Sequence, residues 1–93
     1  MVKAVQITGD TQVTARPTKV YALILHGAGI TAGDKVALSN SASGAGTAIC
    51  TLSATAATGS VTFTPSVPID FDAGLYADCT ISGGAMIVTL LYD

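Results

Sequence analysis

The chain has no tryptophan, no glutamate, a single histidine, two cysteines and only 11% charged residues. Each shortage removes a class of function. Sugar-binding sites favour exposed aromatic rings, and aromatics make up only 5% of this chain. That weighs against a glycan-binding module. The basic residues are Lys3, Arg16, Lys19 and Lys35, and none adjoins another. A nucleic-acid binder needs several phosphate contacts on one basic surface, so nucleic acid is not an expected partner. The acidic residues are all aspartate: Asp10, Asp34, Asp70, Asp72, Asp78 and Asp93. Aspartate favours turns where glutamate favours helices, which agrees with a chain of strands and turns.

Long apolar runs are also missing. None approaches the ~20 residues that span a bilayer as a helix, so no membrane partner is expected. Met1–Ile7 has no continuous apolar stretch of the kind a secretory signal carries, and a chain made in the cytosol is expected. Cys50 and Cys79 read as small, partly apolar side chains in a reducing compartment. A disulfide between them is the alternative, open only after release from the cell. With one distant histidine they do not make a four-ligand zinc set, and no metal or other cofactor is expected.

What the chain does have is apolar and small. Hydrophobic residues make up 49% of its 93 positions. Ordinary soluble domains carry roughly 25% charged residues. Here Ser, Thr, Ala and Gly must wet the surface, as in Ser39-Asn40-Ser41-Ala42-Ser43-Gly44. Such a surface is weakly solvated and suits packing into a larger assembly. The length predicts one domain, residues 1–93, whose core is limited by its size.

Short apolar runs alternate with Gly, Asp, Ser and Pro, and no long 3.6-residue period exists. Strands are predicted at Lys3–Thr8, Gln12–Ala15, Thr18–His26, Lys35–Ser39, Thr47–Ser53, Ser60–Thr64, Ile69–Phe71, Leu75–Ile81 and Met86–Tyr92. One helical turn within Ala42–Ala57 stays open. Seven to nine short strands at roughly 8–12-residue spacing predict an all-β fold, a small antiparallel β-sandwich or jelly-roll-like barrel.

Two runs stand apart: Val20-Tyr21-Ala22-Leu23-Ile24-Leu25 and Met86-Ile87-Val88-Thr89-Leu90-Leu91. Strand side chains alternate between faces, so a run apolar in both phases needs cover on both sides. In so small a chain the second cover is expected from another chain. Tyr21, Leu23, Leu25, Ile87 and Leu91 are the candidate contacts. Val20, Ala22 and Ile24 are the alternative phase of the first run. Tyr21, Tyr76 and Tyr92 all fall on strands, either packing on the core or anchoring an interface, where tyrosine is enriched. Tyr76 joins the candidates on that basis.

Three motifs invite chemistry, and each has a plainer reading. The Gly27-Ala28-Gly29 turn after an apolar strand imitates a dinucleotide fingerprint. Its third glycine, Gly33, comes one position late, and no helix follows to bind phosphate. His26 has no neighbouring nucleophile or carboxylate in sequence, so it is expected to be structural and the chain not to be an enzyme. Asp70 and Asp72 point to one side of an extended segment and could hold calcium at a subunit junction. Calcium wants six to eight oxygens, so a turn is the better reading.

Lys19-Val20-Tyr21, then a Gly/Ala turn, then Asp34-Lys35-Val36-Ala37-Leu38, then Phe71-Asp72-Ala73-Gly74-Leu75-Tyr76 and a closing strand ending in Tyr92 follow in order. This resembles the small all-β virion proteins of tailed bacteriophages that decorate or cement the capsid. The resemblance covers roughly residues 18–93 and rests on loose, compositional motifs. It implies a structural protein at the capsid surface, assembled in the host cytoplasm. The implied partner is the major capsid protein, and the implied state is a homotrimer. Residues 1–17 would then be an arm that docks on the shell. The alternative is a tail or head-fibre module that binds a host-surface glycan.

Overall fold

The computed structural model describes residues 1–27, 30, 32–54, 60–81 and 86–93. Among them are nine strands and no helix. They are β1 (Lys3–Ile7), β2 (Thr11–Thr14), β3 (Thr18–His26), β4 (Lys35–Asn40), β5 (Ala48–Ser53), β6 (Ser60–Phe63), β7 (Ile69–Phe71), β8 (Leu75–Thr80) and β9 (Ile87–Tyr92). Part of the stretch left open for a helical turn is loop and strand, and its residues 55–57 lie outside the described residues. So do the whole Ser82–Gly84 turn and residues 28, 29 and 31 of the glycine-rich turn after β3.

The strands form two antiparallel sheets packed as a sandwich. The five-stranded sheet runs β1-β9-β3-β6, with β7 beside β6 along the same strand β3. The four-stranded sheet runs β2-β8-β4-β5. Residues 1–17 are not a free arm. β1 pairs with β9 and β2 with β8, so this stretch supplies an edge strand to each sheet. The reason is in the sequence: Val5, Ile7 and Val13 pack on the core, which a detached arm would leave in water.

Both sheets turn alternate side chains into one core. Val20, Leu23, Leu25, Val88 and Leu90 come from the five-stranded sheet, Val36, Leu38, Leu75 and Ala77 from the other. Alternation is regular in β6 and β8 but stops before Ile81, which is exposed. Leu75, Ala77 and Cys79 point in while Tyr76, Asp78 and Thr80 point out, and Val61 and Phe63 point in while Thr62 points out.

One corner fixes the four-stranded sheet. The Gln12 amide nitrogen lies 2.8–3.2 Å from the carbonyls of Thr14, Ser41 and Leu75, sharing its two hydrogens among them. Its oxygen accepts the Gly44 N–H at 2.8 Å, and Gly44 takes a positive φ of 85° to deliver it. One side chain thus ties β2, β8 and the β4–β5 loop together. Gly74 sits inside the same corner, where a Cβ would come within 2.7 Å of two backbone carbonyl oxygens.

Candidate functional site

The two-sidedness of β3 has a local cause and a surface consequence. Against β9, Val20 pairs with Tyr92 but Ala22 pairs with Leu91, so Tyr21 is an extra residue in a β-bulge. A bulge shifts the inward phase of its strand by one. Val20 therefore points in before the bulge, and Leu23 and Leu25 point in after it. All three are at most 1% exposed. Leu23 and Leu25, expected as contacts, are core residues and do not reach the surface. Part of the doubly apolar pattern is one inward row that changes step at Tyr21.

The remainder is a real outer row. Tyr21, Ala22 and Ile24 on β3 and Ile87 and Leu91 on β9 lie outside the core cluster, on the far side of the five-stranded sheet. The registers align them into rows across strands. Ala4, Leu91 and Ala22 form one row, and Gln6, Thr89, Ile24 and Thr62 form the next. Ile87, His26 and Ser60 form the third. Tyr21, Ile24, Ile87 and Leu91 are half-buried by their neighbours alone. His26 Nε2 and Thr89 Oγ1 are hydrogen-bonded at 2.9 Å, so the polar atoms of this face partly satisfy one another. No Asp, Lys or Arg stands in these rows. The nearest charges are at the margin, where Lys19 and Asp70 approach to 3.8 Å with both side chains exposed.

The structure thus places Tyr21, Ile87 and Leu91 on one face and adds Ala22 and Ile24, the outward members of the alternative phase. Tyr76 is placed elsewhere, on the outer face of the four-stranded sheet. Loss of water, then the carboxylates of Asp10 and Asp78, hold its phenol above the ordinary tyrosine value. Tyr92 faces the core side of its strand.

The other motifs do not assemble into chemistry. Phe71 is buried between exposed Asp70 and Asp72, as the extended reading required. A shallow cavity of about 210 Å³ there is lined partly by Lys19, Asp70, Asp72 and Asp93. It is smaller than the ~300 Å³ at which small-molecule sites begin. Among the described residues, no three His, Cys, Asp or Glu side chains converge on a point. Cys50 lies opposite Leu38 and Cys79 opposite Val36, on the two flanks of β4. Two strand spacings are roughly 9.6 Å, beyond the ~7 Å Cα limit for a disulfide. Both thiols are free. Burial, with Asp10 and Asp78 nearby, pushes Cys79 up to about 11, so it is a poor nucleophile at neutral pH.

The fold and this face define a class: a small all-β sandwich with an uncharged outer sheet face of apolar and small polar residues. No family model, no curated protein and no solved structure matches the chain.

Proposed function

We propose that this chain is a structural assembly protein which buries the outer face of its five-stranded sheet against a neighbour. Within that class we propose a capsid decoration or cement protein of a tailed bacteriophage, acting on the major capsid protein as a homo-oligomer. The observation that carries the reading is the charge-free face around Tyr21, Ile24, Ile87 and Leu91. Its size favours a repeated partner over a single one. Four strands paired over four to six positions span roughly 20 by 20 Å, about 400 Å². A stable free complex buries about 800 Å² per partner. One such face makes a weak contact, and an oligomer that sets several faces on a shell adds them through effective concentration. A trimer would present three. No reacting group is needed: the apolar area removed from water stabilises the shell, at about 25 cal/mol per Å² before association costs.

The test is co-sedimentation of the full chain with capsid shells lacking it, and immunogold labelling of virions. Saturable binding to shells, weakened by the paired substitutions Ile24→Thr and Leu91→Thr, is the expected result. Label confined to the tail tip would transfer the protein to the glycan-binding class.

A further inference from the structure

A second surface lies at the rim of the sandwich, away from the sheet face. Sheet edges expose unpaired N–H and C=O groups, and proteins guard them with charge, proline, brevity or bulges. Three of the four edges here are guarded. β1 carries Lys3. β2 has four residues, is bulged at Val13, and runs into Arg16 and Pro17. β6 and β7, which share an edge, have four and three residues with Pro65 and Pro68 between them. β5 is the exception: Ala-Ile-Cys-Thr-Leu-Ser, six residues with no charge and no proline. Its one irregularity is at Ile49, the extra residue between Cys50 opposite Leu38 and Ala48 opposite Ser39. From Cys50 to Ala54 the strand is regular, and among the described residues no strand pairs with its outer side.

The direction of the backbone groups follows from one residue. The Ala54 N–H donates to the Asp34 carbonyl at 2.8 Å, and the Ala54 carbonyl accepts the Gly33 N–H at 2.9 Å. Both Ala54 groups therefore face the β4 side. Along an antiparallel strand these groups turn to alternate sides. Those of Leu52 and Cys50 face β4 as well, and those of Thr51 and Ser53 face outward. Among the described residues this outer edge, which β6 approaches without pairing, thus offers two donors and two acceptors on Thr51 and Ser53.

We infer that this edge pairs with β5 of a second copy, antiparallel about a twofold axis at Leu52. The occupant follows from symmetry. With Leu52 opposite the partner's Leu52, Thr51 faces the partner's Ser53 and Ser53 the partner's Thr51. All four outward residues of the two copies then exchange hydrogen bonds, four in total, and neither bulge enters the ladder. A register centred on Thr51 would set Ser53 against the bulged Ile49 and lose that match. The side chains agree. Thr51 and Ser53 are exposed, and Thr–Ser pairs are favourable across strands. Leu52, half-buried on the core side, gains the partner's Leu52 as cover. No like charges meet, because β5 has none. The four-stranded sheets of two copies become one eight-stranded sheet. This contact is independent of the sheet face assigned to the capsid.

The test is light scattering of the full chain at concentrations up to about 1 mM. A concentration-dependent dimer is expected. Ser53→Pro and Thr51→Pro each delete an outward donor that the monomer does not use, as edge prolines do. Each should weaken the dimer at least about tenfold with an unchanged circular dichroism spectrum. As a second measurement, Leu52→Cys with Cys50→Ser and Cys79→Ser should form a disulfide-linked dimer under mild oxidation, because facing residues of a non-hydrogen-bonded pair lie ~4.5 Å apart. A wild-type chain that stays monomeric throughout overturns the inference. So does a dimer or trimer that both proline variants leave intact and Leu52→Cys does not link. Loss of shell binding by Ile24→Thr and Leu91→Thr with the dimer retained separates the two surfaces.

Discussion

The two sheets share a core but present different outsides. The outer side of the four-stranded sheet carries Lys35, Thr51, Ser53, Asp78 and Thr80, and its corner is tied by the Gln12 side chain. The outer side of the five-stranded sheet carries Ala22, Ile24, Ile87 and Leu91, with a hydrogen bond between His26 and Thr89. In a 93-residue chain with so few charges, where the charges stand is informative. Lys35 and Asp78 stand on the outer side of the four-stranded sheet, while Lys19 and Asp70 stand at the margin of the other. The four-stranded sheet is finished as a solvent surface. The other leaves Tyr21, Ile24, Ile87 and Leu91 partly exposed to water.

The largest effects should come from the shared interior. Leu23→Ala and Leu38→Ala, both fully buried on opposite sheets, should each cost about 2–5 kcal/mol. Chemical denaturation checks this, and a large inequality would break the view of one core serving both sheets. Next is the tie that only one sheet has. Gln12→Ala should cost about 1–3 kcal/mol by stranding carbonyls and freeing the Ser41–Thr47 loop, with faster amide exchange at Gly44.

A pH effect follows on the same sheet. Cys79 keeps its proton in the folded protein up to about 11, against 9.0 ordinarily. Between these values the unfolded chain loses a proton that the folded chain retains, so stability is full below pH 9 and falls toward pH 11. Cys79→Ser should flatten that decline in denaturant midpoints measured across the interval.

The smaller effects sharpen the contrast between the outer faces. Ile24→Thr with Leu91→Thr should change monomer stability by about 1 kcal/mol or less per site, yet lower binding of a hydrophobic dye and of capsid shells. Thr80→Val on the other sheet should leave shell binding unchanged. Equal responses from both faces would erase the distinction. Smallest of all, Lys19→Ala should cost under about 0.5 kcal/mol, because the Lys19–Asp70 pair is exposed on both sides.

Much of the fold was legible because strand signals were local. Thr18–His26 and Ile69–Phe71 were predicted with the bounds they have, and the others lie within a residue or so. The inward phases of β4, β6 and β8 follow from clean alternation. What the sequence concealed was the bulge. Phase is a property of pairing, and only the partner strand β9 shows that Tyr21 is an extra residue. Of the three candidate contacts on β3, Leu23 and Leu25 are therefore core residues and only Tyr21 lies outside the core, while Ala22 and Ile24 of the alternative phase face out. The edge residues Thr51 and Ser53 gave no signal at all. Their role depends on β5 being the outermost strand, which composition cannot reveal.

The order of the strands also sets a timetable. β9 lies between β1 and β3, so the five-stranded sheet has no middle until residues 87–92 are available. Its N-terminal strand must wait for a partner nearly the whole chain away, with Lys3 finally meeting Tyr92. Pairings this distant in sequence are slow, since loop-closure entropy is lost before any contact returns it. A ribosome-bound chain would hold β1 unpaired, and β3 paired only on its β6 and β7 side, until β9 emerged. The outer face of the five-stranded sheet would then form only once β9 has joined, so an incomplete copy would not present it.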